Sequence, residues 1–141
     1  MRRVLWLSVA LAGCTGPELA TVYDVMQHQT AWSSHQLTRY TYVYEETGFF
    51  NNLAGQAISL VVIGDTVRSA TFVSSGDSVP VPLSRFPTID GLFAEARTLL
   101  DQNTLAAIRF DPALAYPVRM DVSGLPDASG SIFASGLTVV P

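Results

Sequence analysis

The sequence predicts an α+β fold in a single domain, and three observations support this class. Two segments of the 141-residue chain carry apolar residues at helical spacing, and six others alternate or form β-branched apolar runs. The order of these segments is helix, three strands, helix, three strands. Short turns join the strands of each run, which predicts antiparallel pairing because parallel strands need long crossovers. We therefore expect one antiparallel sheet with both helices on one face.

The first helix and the next three strands are predicted from residues 22–73. An apolar stripe predicts a helix over residues 22–37, and its members are Val22, Val25, Met26, Trp32 and Leu37. Tyrosine alternates with other residues over 40–45, which predicts the first strand. Two β-branched runs, 57–63 and 67–73, predict the next two strands. Gly64-Asp65 between them suits a tight hairpin because glycine accepts positive φ.

The second helix is the clearest element of the sequence. Apolar residues recur at i, i+3, i+4 and i+7 over residues 89–102. Thr88 is a natural N-cap, and Asp90 lies where the helix dipole favours a negative charge. The stretch before it, 74–87, contains three prolines and is predicted to be an extended loop.

Three more strands are predicted at residues 105–111, 117–122 and 131–140, with a turn over 125–130. We expect Phe110 to pair with Met120. This register opposes unlike charges in two pairs, Arg109 with Asp121 and Asp111 with Arg119. A shift by two residues would instead place Arg109 opposite Arg119, two like charges.

Composition excludes several classes of function. The chain has 8 arginines, no lysine and 12 acidic residues, so its net charge is −4. An acidic protein lacks the basic face that a nucleic-acid binder needs. Its single cysteine excludes an intramolecular disulfide and a multi-cysteine zinc site. We expect neither a metal nor another cofactor.

The N-terminus predicts a lipoprotein signal. Two arginines precede a short apolar run, and Leu11-Ala12-Gly13-Cys14 resembles the bacterial lipoprotein box. We expect a signal peptide over residues 1–13, a lipidated tether over 14–20 and a domain over 21–141. Lipidation of Cys14 would anchor the chain to a membrane in the cell envelope. Thr15 is not the aspartate of inner-membrane retention, so we favour the outer membrane if the organism has one.

Several short motifs carry a family resemblance. They are Trp32, the Tyr40-Thr41-Tyr42 strand, the Thr88–Phe93 helix start and the segment from Phe110 to Pro117. The chain resembles a family of small bacterial lipoproteins and secreted proteins known as domain of unknown function 6174. The resemblance implies location and fold and no chemistry, because the family has no assigned activity. Ala115 stands where the family usually has glycine, so we expect no positive-φ turn there.

Aromatic residues of the first strand and its following loop are candidate binding residues. Tyr40, Tyr42 and Tyr44 share one face of the strand. They form either core packing or an aromatic platform for a ligand. Phe49-Phe50 lies in the loop after that strand. Either one ring is buried and the other partly covered, or the pair forms a tip that contacts a partner or a membrane.

Polar residues near the later hairpin are the other candidates. Asp111, Tyr116 and Arg119 fall close together in sequence and form either a structural hairpin end or a recognition site. The two histidines, His28 and His35, lie seven residues apart and cannot share one metal ion. We expect His28 on a solvated helix face, within reach of Asp24.

The sequence therefore favours a lipid-anchored envelope domain that binds a protein or ligand and is not an enzyme. One alternative is an envelope enzyme with its site near Asp111, Tyr116 and Arg119. Another is a carrier of a small apolar ligand, which would need a cavity between the sheet and the helices.

Overall fold

A computed structural model describes residues 21–48, 52–125 and 128–141. It contains two helices, six strands and a short 3-10 turn, and the order of the helices and strands confirms the prediction. The elements are α1 Val22–Ser34, β1 Arg39–Thr47, β2 Ile58–Ile63, β3 Thr66–Phe72, the 3-10 turn Leu83–Arg85, α2 Ile89–Asp101, β4 Leu105–Phe110, β5 Pro117–Leu125 and β6 Ala128–Val139. Phe49 and Phe50, proposed from sequence as a loop tip, lie outside the described residues.

All six strands form one antiparallel sheet. Their order is β3-β2-β1-β6-β5-β4, so the first and last strands of the chain lie side by side at its centre. The hairpin between β2 and β3 turns at Gly64, whose φ of 62° confirms the predicted glycine turn.

Both helices lie on the same face of the sheet, as predicted. The Trp32 ring of α1 packs edge-on against Tyr40 of β1, with ring centroids 5.5 Å apart. The Tyr40 hydroxyl in turn accepts a hydrogen bond from the first backbone N–H of α2, that of Ile89. The core therefore fills the layer between the sheet and the two helices.

Local signals account for the helix boundaries. Thr88 accepts a hydrogen bond from the Gly91 N–H and is the predicted N-cap of α2. Thr21 and Asp24 form a capping box at the start of α1. The predicted end of α1 at residue 37 is wrong, because Gln36 adopts a left-handed φ of 52° and the helix ends at Ser34.

The predicted register between β4 and β5 is wrong. Met120 pairs with Ile108, and Arg109 lies opposite Arg119. The loop between the two strands sets this register. The Asp111 N–H donates to the Tyr116 carbonyl, and this hydrogen bond between Asp111 and Tyr116 closes the hairpin.

Arg119, which faces Arg109 in this register, has favourable contacts elsewhere. Arg119 donates from Nε to Asp121 Oδ1 at 2.8 Å, and its guanidinium lies over the Phe133 ring at 5.3 Å from the centroid. Both contacts lie on the face of the sheet away from the helices. A carboxylate of the same strand and an aromatic ring of β6 therefore take the place of the cross-strand ion pairs that the sequence predicted.

Two further predictions in the second half are also wrong. Ala115 has a φ of 63°, although a residue other than glycine was expected to avoid positive φ. Its N–H donates to the Asp111 carbonyl, and this tight loop requires the left-handed conformation. The turn predicted over 125–130 is mostly strand, because the β5–β6 ladder continues to Leu125 and Ala128.

Candidate binding site

The three tyrosines of β1 lie in the core. Tyr40 and Tyr42 are each 1% exposed and Tyr44 is 5% exposed, beneath the two helices. Burial at this level leaves no ring face for a ligand. The interpretation of these residues as an exposed aromatic platform is therefore wrong, and the core interpretation is confirmed.

Each tyrosine hydroxyl is satisfied inside the protein. Tyr42 donates to the Pro87 carbonyl, and Tyr44 donates to a carboxylate oxygen of Glu46. Burial raises the pKa of Tyr40 to about 12, and it also raises the pKa values of Tyr42 and Tyr44 well above the ordinary value for tyrosine. The hydroxyls are therefore structural donors and acceptors, since their ionised forms are strongly disfavoured.

Asp111, Tyr116 and Arg119 do not converge on one site. Asp111 Oδ1 accepts hydrogen bonds from the backbone N–H groups of Ala113 and Leu114, so it holds the turn. Tyr116 is 4% exposed, and burial raises its pKa. Arg119 is on β5, on the face of the sheet opposite the helices. Asp111 lines a surface groove.

That groove lies between α1 and the β4–β5 turn and has a volume of about 350 Å³. We call it the His28 groove. The residues that line it come from α1, from the end of β4 and from the turn after it: Gln27, His28, Ala31, Phe110, Asp111, Pro112 and Ala115. The helix and the turn are far apart in sequence, and the packing of α1 on the sheet brings them together.

His28 gives this groove an aromatic ring and a ring nitrogen that can accept a hydrogen bond. Its ring stacks on Phe110 with centroids 3.7 Å apart and planes 8° from parallel. Nδ1 lies 2.8 Å from the backbone carbonyl oxygen of Asp24. A carbonyl oxygen can only accept, so Nδ1 carries the hydrogen, and the neutral ring has Nε2 as its acceptor. The predicted solvated position is wrong, since the ring is half-buried against an aromatic neighbour.

Asp24 itself does not pair with the histidine through its carboxylate. Asp24 Oδ2 accepts a hydrogen bond from the Thr21 backbone N–H at 3.1 Å. Hydrogen bonds to Thr21 lower the pKa of this carboxyl. The carboxylate therefore serves as the helix cap, and His28 contacts the backbone of the same residue.

Two larger grooves flank other elements. One of about 580 Å³ lies beside Arg68, between the β2–β3 hairpin and the 3-10 turn. The other, of about 620 Å³, runs along the outer side of α1. Among the described residues, no group of three or more metal-ligating side chains could hold an ion. Neither described helix is long and apolar enough to cross a membrane.

Comparison with known proteins identifies a family. The profile of a family of unknown function, DUF6174, matches residues 24–132. The chain belongs to this family. No curated protein and no solved structure matches the chain significantly. Membership in DUF6174 confirms the resemblance seen in the sequence, and it brings no assigned activity with it.

The matched range of DUF6174 covers the residues of the His28 groove, from Gln27 to Ala115. Asp111 was proposed from the sequence as a binding residue, but His28 and Phe110 were not proposed for that role. The two rings are 82 residues apart, and each fits its own amphipathic pattern as an ordinary core or surface residue. A parallel stack between them is visible only once α1 lies across β4.

Proposed function

We propose that this protein is a lipid-anchored protein of the bacterial cell envelope whose domain binds an extracytoplasmic partner without catalysis. The observation that carries the anchor is Cys14, the single cysteine of the chain, placed in Leu11-Ala12-Gly13-Cys14 after two arginines and a short apolar run. The described domain begins at Thr21, so six residues separate it from this cysteine.

The anchor is tested by Cys14→Ser in intact cells, with Thr15→Ser as the matched neighbouring control. We expect the native protein and the Thr15 variant to incorporate a labelled fatty acid and to sediment with membranes. The Cys14 variant should lose the label and move to the soluble fraction. A Cys14 variant that remains with the membranes would contradict a lipid anchor at this residue.

The His28 groove supports the binding role. It joins a flat aromatic stack, an acceptor nitrogen and the Asp111 side chain in one recess of the surface. Such a recess fits a small group that has an N–H or O–H donor beside an apolar plane. A short segment of another envelope protein carries such groups on its backbone and side chains.

A non-catalytic role is favoured by the way the other candidate residues are used. Asp111 Oδ1 is engaged with two backbone N–H groups, and Tyr116 is a core residue. Large side chains, Trp32 and Phe93 among them, occupy the layer between sheet and helices. This filling disfavours a carrier with its ligand in that layer.

The groove is tested by photocrosslinking in intact cells. A photoreactive amino acid replaces Pro112 at the groove, and the same replacement of exposed Pro80 in the loop before the 3-10 turn is the control. We expect a crosslinked product from position 112 alone. His28→Phe keeps a ring on Phe110 but removes Nε2, so it should abolish this product. Equal products from both positions, or a product insensitive to His28→Phe, would contradict the proposal.

A further inference from the structure

The outer side of α1 carries apolar side chains that no described residue covers. Val22 is 46% exposed, Tyr23 68% and Met26 55%. They lie within the first turn and a half of the helix, about 6 Å along its axis. Tyr23 and Met26 line the groove of about 620 Å³ on this side, which continues to Thr30 and Ser34. We call Val22, Tyr23 and Met26 the α1 patch.

The α1 patch has no ionised side chain on its own side of the helix. Asp24, the only carboxylate of α1, is engaged with Thr21 in the capping box. His28 faces Phe110 instead. The Tyr23 hydroxyl accepts a hydrogen bond from Gln27 Nε2 at 2.7 Å, so the polar end of its ring is already satisfied. An uncharged surface of this kind can leave water at low cost.

The short chain between Cys14 and α1 would keep the α1 patch close to a membrane. Seven Cα-to-Cα steps join Cys14 to Thr21, a contour of at most about 25 Å. A lipid on Cys14 would therefore hold the start of α1 within that distance of a bilayer. We infer that the α1 patch rests on the bilayer surface, an inference that depends on the anchor proposed above. Tyrosine and methionine suit the headgroup boundary, because each combines apolar area with a polar or polarizable group.

The net charge of the domain does not bring the α1 patch to the membrane. Cleavage before Cys14 would remove Arg2 and Arg3, leaving 6 basic and 12 acidic residues and a net charge of 6 − 12 = −6. Such a domain is not attracted to anionic lipid. The contact is apolar and depends on the tether, so it should occur on zwitterionic phosphatidylcholine as well.

The test uses the mature lipidated protein, from Cys14 to the end of the domain, in phosphatidylcholine vesicles that carry a nitroxide-labelled lipid. Thr30→Cys, next to the α1 patch, receives an environment-sensitive fluorophore, and Thr98→Cys on α2 is the matched control. Both threonines are exposed, and each hydroxyl donates to the carbonyl four residues earlier in its helix. Acylated Cys14 has no free thiol to react.

We expect the fluorophore at position 30 to shift to shorter wavelength and to be quenched by the nitroxide lipid, and the one at position 98 to remain unchanged. Tyr23→Ser together with Met26→Ser should remove the shift and the quenching while the protein still floats with the vesicles. Flotation without quenching at position 30 would overturn the inference and leave the anchor standing. A shift without quenching would assign the surface to a second copy and would also overturn it. Failure to float would overturn the anchor, and this inference with it.

Discussion

Tyr42 combines burial of a large ring with a hydrogen bond that the core could not lose without cost. Its side chain is 1% exposed, and its hydroxyl donates to the carbonyl of Pro87, just before α2. An acceptor left unpaired in this position would lose its partner and gain no water. The hydroxyl therefore fixes the start of α2 above the sheet.

Tyr42→Phe tests this role at the scale of one atom. We expect it to lower the free energy of unfolding by about 1–2 kcal/mol, because the Pro87 carbonyl loses its donor. Tyr23→Phe removes a hydroxyl whose hydrogen bond is exposed and should change stability by a few tenths of a kcal/mol. Urea denaturation of the two variants measures the difference, and equal effects would contradict the structural role of Tyr42.

Ala115 is a residue whose backbone is strained. A residue with a Cβ adopts this φ of 63° at a cost of about 1–2 kcal/mol relative to glycine. We expect Ala115→Gly to raise the free energy of unfolding by about 0.5–1 kcal/mol, after the extra freedom of glycine in the unfolded chain is deducted. Ala113→Gly in the same turn lacks positive φ and should not stabilise. Thermal unfolding of both variants checks this, and a destabilised Ala115→Gly would contradict the strain.

At the scale of elements, the turn of the β4–β5 hairpin determines the strand register, although another register would pair unlike charges across the two strands. Asp111 Oδ1 accepts two backbone hydrogen bonds, at 2.9 Å from Ala113 and 2.7 Å from Leu114. This arrangement sets the length of the loop and therefore the register. The alternative register would form exposed ion pairs instead. Each such pair stabilises a fold by at most about 1 kcal/mol once the loss of side-chain entropy is deducted.

The Asp111 turn makes a prediction with a built-in control. Asp111→Ala removes the acceptor, and we expect a loss of about 1–2 kcal/mol in the free energy of unfolding. Asp111→Asn keeps an amide oxygen in the same place and should lose much less. Denaturation midpoints of the two variants decide this. If alanine and asparagine were equivalent, the side-chain acceptor would not be what closes the turn.

Whole-molecule stability should depend on pH through Glu95. Burial raises the pKa of this α2 carboxyl above its ordinary value of 4.5, and the charge of Glu46 adds to the rise. The folded state therefore holds the proton more tightly than the unfolded state. Stability from this group is present below pH 4.5 and is lost as the pH rises through the raised pKa.

Glu95→Gln removes this titration, because the amide is neutral at every pH. We expect the variant to melt at a higher temperature than the native protein at pH 7, and the gain to shrink toward pH 4. Glu45→Gln removes one negative charge from β1 and controls for net charge. A melting-temperature gain that is the same at both pH values would contradict a raised pKa at Glu95.

The candidate site divides between what the sequence could and could not predict. Asp111 was predicted because it falls close to Tyr116 and Arg119 in the sequence, near the end of a predicted hairpin. His28 and Phe110 were not predicted as a pair, since their contact depends on where α1 crosses the sheet. The sequence placed the three tyrosines on one face of a strand. It could not distinguish core packing from a ligand-binding platform, because that depends on the burial seen in the structure.

The sequence by itself determined the α+β class, the order of the elements, the Thr88 cap and the Gly64 turn. These features depend on hydrophobic spacing and on backbone preferences within a few residues. Only the tertiary structure decided the β4–β5 register, the burial of the tyrosines and the His28 groove. Each of these depends on contacts between residues distant in the chain, where turn geometry and packing outweigh local preference.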